Sequence, residues 1–401
     1  MGNKFFTLTF LLSLSLWSLA QQARIDSLLR LIASSSSDTA KIFLYESLGE
    51  TYYLEKKMDS SVFSFQHALE LNKKNEFSLQ KQCWNAAAID YRLNQMGDYL
   101  GSLNYAALHL ALSEKINDTF QKGIAHLTYG HNFREMGYYR QALDHYFMAL
   151  AYCKSYWIGK NKPEDNVYTL QCIAETYLKM GELDSAFSYA NQAYSFAIRD
   201  SVPGCILLSD RIFGDILFAK GNYEMALNYY RRYLTNFIKY KETNRDLGFV
   251  LNGLAMIFQK KGQTDSTIVY AKKALANAQE CQDQENIFKA ASLLYDGYKE
   301  SHDDSAALQY LELAVRAKDS VLSIEKSRQA QILSFNEQMR EKVRKEVEKR
   351  ETRKAWILAT AIGILSLIGA FLISNRMRQL RLKIKSTIKK RLTKFSMSMK
   401  N

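Results

Sequence analysis

The segment from Ala355 to Ser374, AWILATAIGILSLIGAFLIS, constrains this chain more than any other. Twenty consecutive residues carry no charge. In an apolar setting only a helix satisfies the backbone of so short a run, and twenty helical residues are enough to cross a bilayer. A helix buried in a protein core seldom runs this long without a charged residue. The flanks differ, the first being mixed in sign and the second purely cationic. KRETRK precedes the run, whereas Asn375 to Asn401 holds Arg376, Arg378, Arg381, Lys383, Lys385, Lys389, Lys390, Arg391, Lys394 and Lys400 with no Asp or Glu. The excess of cations places this tail in the cytoplasm, so the expected location is a bacterial inner membrane crossed once, with the N-terminal region periplasmic.

The other end supports that orientation. Residues 1–20 read as a signal peptide: Lys4 supplies the charged start, Phe5 to Trp17 the apolar run, and Ser18-Leu19-Ala20 the small-residue cleavage pattern. An uncleaved anchor is the alternative. Of the formal charge of +13, the tail and Lys4 account for all but about +2. The basicity thus belongs to the tail and points to anionic membrane lipid, at about 1 kcal/mol per cation near the surface. Nucleic acid is not an expected partner. Five cysteines, Cys83, Cys153, Cys172, Cys205 and Cys281, show no metal-ligand spacing. They read as small buried residues, with a Cys153–Cys172 disulfide as the alternative.

Between these ends the chain repeats. The segment HLTYGHNFREMGYYRQALDHYFMALAY sets Gly130, Phe133, Gly137, Ala142, Tyr146 and Ala149 at the offsets of a tetratricopeptide repeat. Small residues at Gly130 and Ala142 mark where two helices of a hairpin cross, and aromatic neighbours fill the space they leave. Gly97, Gly137, Gly181, Gly221 and Gly262 mark turns about forty residues apart, longer than the usual period of roughly 34. The spacing predicts longer helices or loops, with the largest insertion near 160–165. With copies around Gly49 and Tyr298, about seven hairpins are expected over 41–318, preceded by a capping helix within 21–40. The fold class is therefore all-α: a superhelical solenoid, a long charged helix over 319–354, and a span over 355–374. The charged helix carries an imperfect apolar stripe of Ile332, Phe335, Met339, Val343 and Val347. It either pairs two copies as a homodimer or stands as a solvated spacer.

The opening ARIDSLLRLIASSSSDTAKIFLYESLGETYY, the forty-residue repeats and the KDSVLSIEKSRQ exit into one span resemble tetratricopeptide sensor proteins of Bacteroidetes-type bacteria. That resemblance reaches to about Arg381. In such proteins a cytoplasmic histidine kinase or helix-turn-helix domain comes after the span. The 27 residues after Ser374 are too few for either, so the output activity is not carried over.

No catalytic motif is present: no HExxH, no phosphate-binding GxxxxGK, no GxSxG. The six histidines lie apart in sequence and read as structural, and neither a metal nor a cofactor is expected. The expected site is a binding wall on the first helix of successive hairpins. It comprises Trp84, Tyr91 and Asn94, then His131 and Arg134, Gln171 and Glu175, Arg211 and Asp215, and Asn252, Met256 and Gln259. Two arginines among aromatic and polar groups suit a protein or peptide partner through bidentate pairing. Alternatively these residues pair internally, Arg211 with Asp215 for example. The function expected is a non-enzymatic, membrane-anchored scaffold or sensor for signalling. The second reading is the sensor part of a kinase or regulator whose output domain is lost or carried by another chain.

Overall fold

The computed structural model describes residues 21–157, 164–240 and 244–398. The expected signal peptide, and most of the insertion near 160–165, lie outside them. The described residues form helices and turns without a strand. They divide into two units, residues 1–332 and 333–401.

The first unit opens with helix α1 over residues 21–34, whose Ile25 and Ile32 bury against Leu48 of the next helix. Ser37 ends the serine-rich break and caps that helix, its hydroxyl accepting from Ala40 N–H at 3.2 Å. Hairpins then succeed one another in order. They are α2 (Asp38–Leu54) with α3 (Met58–Lys74), α4 (Leu79–Gln95) with α5 (Tyr99–Lys115), and α6 (Thr119–Glu135) with α7 (Tyr139–Trp157). Next come α8 (Glu164–Met180) with α9 (Leu183–Arg199), α10 (Pro203–Ala219) with α11 (Tyr223–Tyr240), and α12 (Asn244–Lys260) with α13 (Thr264–Glu280). Last is α14 (Gln284–Glu300), which pairs with the start of α15 (Asp304–Ser398). The long period is thus accounted for by helix length: most of these helices have 17 residues, joined by short turns.

Each turn within a hairpin is closed the same way. Gly97 adopts φ +78°, its N–H reaches Asn94 C=O at 3.0 Å, and Asp98 N–H reaches Leu93 C=O at 3.0 Å. This double closure satisfies carbonyls that the helix end leaves open. Lys56 and His302 take the same left-handed conformation without being glycine, at φ 58° each. No glycine marks those two turns, whose hairpins are recognised instead from the residues around Gly49 and Tyr298.

The helix crossings work by exchange of volume. A side-chain carbon on Gly130 would lie 2.4 Å from the Tyr146 ring, and one on Gly214 would lie 2.3 Å from Tyr230. Gly49 and Phe65 repeat the arrangement in the first hairpin. Where the first helix has alanine instead, the second has alanine opposite, as with Ala174 and Ala190 or Ala255 and Ala271. Core clusters of this kind continue from hairpin to hairpin, which is how a repeat unable to bury its own apolar face becomes stable.

The helix α15 begins at Asp304 as the second member of the seventh hairpin and runs without a break to Ser398. Within the second unit, Met339, Val343 and Val347 are exposed, as is nearly the whole of 355–374. That stretch is one helix long and apolar enough to cross a membrane.

Candidate partner-binding surface

The first helices of the hairpins place equivalent side chains in rows. One row runs Phe43, Trp84, Ile124, Tyr168, Leu208 and Phe249, apolar over the first six hairpins, and ends at Lys289 in the seventh. Trp84 is 41 % exposed and Tyr91 46 % exposed. Trp84 stands edge-on to Phe65, with centroids 5.5 Å apart, and Tyr91 lies 6.3 Å from Tyr53. Lys81 Nζ sits 4.0 Å over the Phe43 ring and pairs with Glu46 at 2.6 Å. The first two hairpins thus present rigid aromatic faces to solvent, and large rings fixed in place lose little entropy on capturing a partner.

The middle hairpins present charge. Arg134 donates to Glu175 at 2.9 Å and to Glu135 at 3.2 Å. Glu175 also accepts from Arg211, whose Nη1 reaches Asp215 at 2.8 Å and whose Nε lies 3.1 Å from Asp246. Tyr230 O–H donates to Asp215 at 2.6 Å. Burial alone would raise the Glu175 carboxyl, but Arg211 and Arg134 pull it down to about 2. For Asp215 burial wins, and its pKa is raised despite Arg211 and Tyr230. Both arginines that the sequence offered to a partner are therefore engaged internally. Of the two expectations for this wall, internal pairing is the one the geometry displays, and Arg211, only 9 % exposed, bridges three hairpins.

The other expected residues divide. Asn94 donates to Asn132 at 3.0 Å and Gln259 to Asp296 at 3.0 Å, both linking neighbouring hairpins. Met256 is half-buried against the core around Leu251 and Leu293. Gln171 and Asn252 do not line an open wall: both are buried, Gln171 on Ser209 at 2.8 Å and Asn252 on Asn286 at 3.0 Å. Their register turns them into the seam between first helices. His131 faces the Cys172 sulfur at 3.3 Å, and burial with nearby Arg134 lowers its pKa to about 3.

Histidines read as separate in sequence come together in space. His126 Nδ1 lies 2.9 Å from His145 Nδ1, enclosed by Tyr129 and Tyr152. Burial, then His126, lowers His145 to about 4, and burial lowers His126 as well. His109 goes the other way. Burial opposes its charge, but the hydrogen bond to Asp90 at 3.1 Å carries it up to about 10. Its Nε2 meets Gln121 Oε1 at 2.9 Å, so both ring nitrogens face acceptors and the proton belongs on the imidazole, even though burial raises Asp90. Spacing gave no hint of these pairs, because their members lie on different helices 19 residues apart. No group of three metal-ligating side chains occurs among the described residues. Cys172 forms no disulfide; Cys83 and Cys172 are buried as expected, while Cys205 and Cys281 are half-buried.

A tetratricopeptide repeat model matches residues 44–75 and 212–236, which fall in the first and fifth hairpins. No curated protein matches the chain. Among solved structures, the apo form of RapI is similar at 15 % identity over 70 % of this chain and 99 % of its own, with a TM-score of 0.55. The Rap conjugation gene regulator of plasmid pLS20, in complex with the Phr* peptide, is similar at 17 % identity over 71 % and 75 %, TM-score 0.54. A Rap protein complexed with competence and sporulation factor gives 14 % over 76 % and 80 %, also 0.54. At these identities the likeness is one of fold. The chain is an all-helical, tetratricopeptide-like solenoid with a long C-terminal helix.

Proposed function

We propose that this protein is a non-enzymatic scaffold or sensor, anchored in a bacterial inner membrane by residues 355–374. Its solenoid lies in the periplasm and captures a protein or peptide on the first-helix wall, and its basic tail lies against anionic lipid in the cytoplasm. The observation that carries this reading is the set of exposed rings, Phe43, Trp84 and Tyr168 in one row and Tyr91 two turns along from Trp84, fixed on first helices that further polar links tie to one another. Two neighbours of like fold, one in complex with the Phr* peptide and one complexed with competence and sporulation factor, support capture by analogy. The internal neutralisation of Arg134 and Arg211 shifts the expected contact from the arginines to the aromatic side chains. The exposed apolar helix and the cations of 375–390 support the anchor and its orientation.

Cross-linked pull-down from envelope fractions tests the capture. Trp84→Ala with Tyr91→Ala is expected to lower partner recovery at least roughly tenfold without unfolding the solenoid, as aromatic hot spots do. Unchanged recovery with the doubly substituted chain removes the wall assignment. A reporter fused after Asn401 tests the topology, since its export reverses the proposed orientation.

A further inference from the structure

Among the glycine turns, the one at Gly97 differs. Gly137, Gly181, Gly221 and Gly262 stand exposed, whereas Gly97 is half-buried. The side chain that reaches it comes from the far end of the solenoid. Gln331, on α15, accepts at Oε1 from Tyr99 N–H at 2.8 Å and from Leu100 N–H at 3.2 Å. Its Nε2 donates to the Gly97 carbonyl at 2.9 Å across 234 positions of sequence.

These contacts meet a specific need. Tyr99 and Leu100 are the first residues of α5, and N–H groups there have no acceptor within their own helix. Asp98 already takes Gly101 N–H at 2.9 Å, and Ser102 N–H goes to the Asp98 carbonyl. Gln331 thus completes the start of α5 from another hairpin. The stretch that carries it is covered on one stripe: Val321, Glu325, Arg328 and Ile332 are half-buried at spacings of four, three and four. This stripe lies beyond the length that the 17-residue α14 can cover.

We propose that residues 321–332 form a strap with Gln331 as its latch on the second hairpin, holding the exit helix against the solenoid in one state and freeing it in another. In a solenoid each repeat contacts its neighbours, so small rotations at every junction accumulate between distant repeats. A link from the seventh hairpin's helix back to the second hairpin's turn registers that sum. Three hydrogen bonds, each of modest net worth, hold firmly enough to bias the resting state and weakly enough to yield. The strap stands whether or not the aromatic wall is where a partner binds, since its contacts involve none of the wall residues.

Amide hydrogen exchange on the full chain in detergent micelles tests it, comparing wild type with Gln331→Ala, Gln331→Glu and Gln329→Ala. Gln331→Ala is expected to quicken exchange roughly tenfold at Tyr99 and Leu100 and over residues 321–332 together. Gln331→Glu keeps the acceptor but loses the donor to Gly97, so its rates fall between the two. Gln329, exposed and bonded to Glu325 on its own helix, leaves both regions at wild-type rates when replaced. Wild-type exchange in Gln331→Ala, or faster exchange at Tyr99 and Leu100 alone with 321–332 unmoved, overturns the strap. Should Gln331→Ala fail to fold, Gln331→Glu decides by the same two regions, and unchanged rates there overturn the proposal.

Discussion

The solenoid and the apolar stretch at 355–374 draw on the same residues, Ile, Leu, Ala and Gly, and treat them oppositely. Ile173 and Ile212 in the solenoid are fully buried, while Leu367 is 72 % exposed and Ile373 68 %. Gly130 and Gly214 each admit an aromatic ring, whereas Gly363 and Gly369 meet nothing within 4 Å. Apolar content alone therefore says little about burial. In the solenoid, polar residues alternate with apolar ones at helical spacing, so each helix has one face to hide from water. In 355–374 the apolar character runs all round and no charge interrupts it, so the helix has no charged face to turn to water.

That contrast is open to direct attack, beginning with the most disruptive substitution. Ala142→Arg places a charge at a fully buried crossing, at an expected cost of roughly 4 kcal/mol or more. An unaltered melting temperature would falsify the register of the third hairpin. Gly130→Leu forces Tyr146 from its seat and is expected to cost about 3 kcal/mol, while Gly363→Leu leaves solenoid melting unchanged. If both glycine variants melt alike, the two regions do not differ as described. Leu365→Arg reverses the pattern, sparing the solenoid but opposing membrane insertion by about 3 kcal/mol; recovery from the membrane fraction as for wild type contradicts the anchor.

Arg211→Ala leaves Glu175, Asp215 and Asp246 without their shared cation, and about 3 kcal/mol of destabilisation is expected. Arg211→Met, which also removes the charge, is expected to melt below wild type as well. A variant as stable as wild type shows that the network adds nothing.

The smallest effect is a pH dependence. His145 and His126 have lowered pKa values in the folded chain, so the unfolded chain takes up protons first as pH falls. Their contribution is complete above about pH 6.5 and declines from there toward pH 4. His109, raised to about 10, contributes fully below about pH 6.5 and loses its effect as pH rises toward 10. Thermal melts at pH 7.5 and 5.5 should show a small loss on the acid side that His145→Phe reduces. An identical acid-side slope in that variant excludes the histidine pair as its source.

Much of the solenoid was legible because its rules are local. A left-handed turn is marked by glycine, and a helix crossing is marked by a small residue sixteen positions from a ring, as with Gly130 and Tyr146. At Lys56 and His302 another residue type accepts the left-handed turn and no glycine marks it. The candidate wall was half legible. Offsets placed Arg134, Glu175 and Arg211 on one expected wall, yet they could not say that these side chains would turn to one another, nor that Asp246 and Tyr230 would join them. Such pairings span 15 to 41 positions, and their geometry depends on how far each hairpin rotates on the last.

Three properties are written along the chain and need no coordinates: that it is helical, that it repeats about every forty residues, and that one stretch is suited to lipid. They come from periodicity, backbone freedom and the absence of charge. Which polar groups are spent was settled only by packing in three dimensions. It joined His126 to His145, enclosed Arg211 among three carboxylates, sank Gln171 and Asn252 into the seams, and brought Gln331 to the turn at Gly97. The physical reason is that a buried donor or acceptor takes the partner that packing brings within about 3 Å, and packing is set by the stacking of whole hairpins rather than by neighbours along the chain.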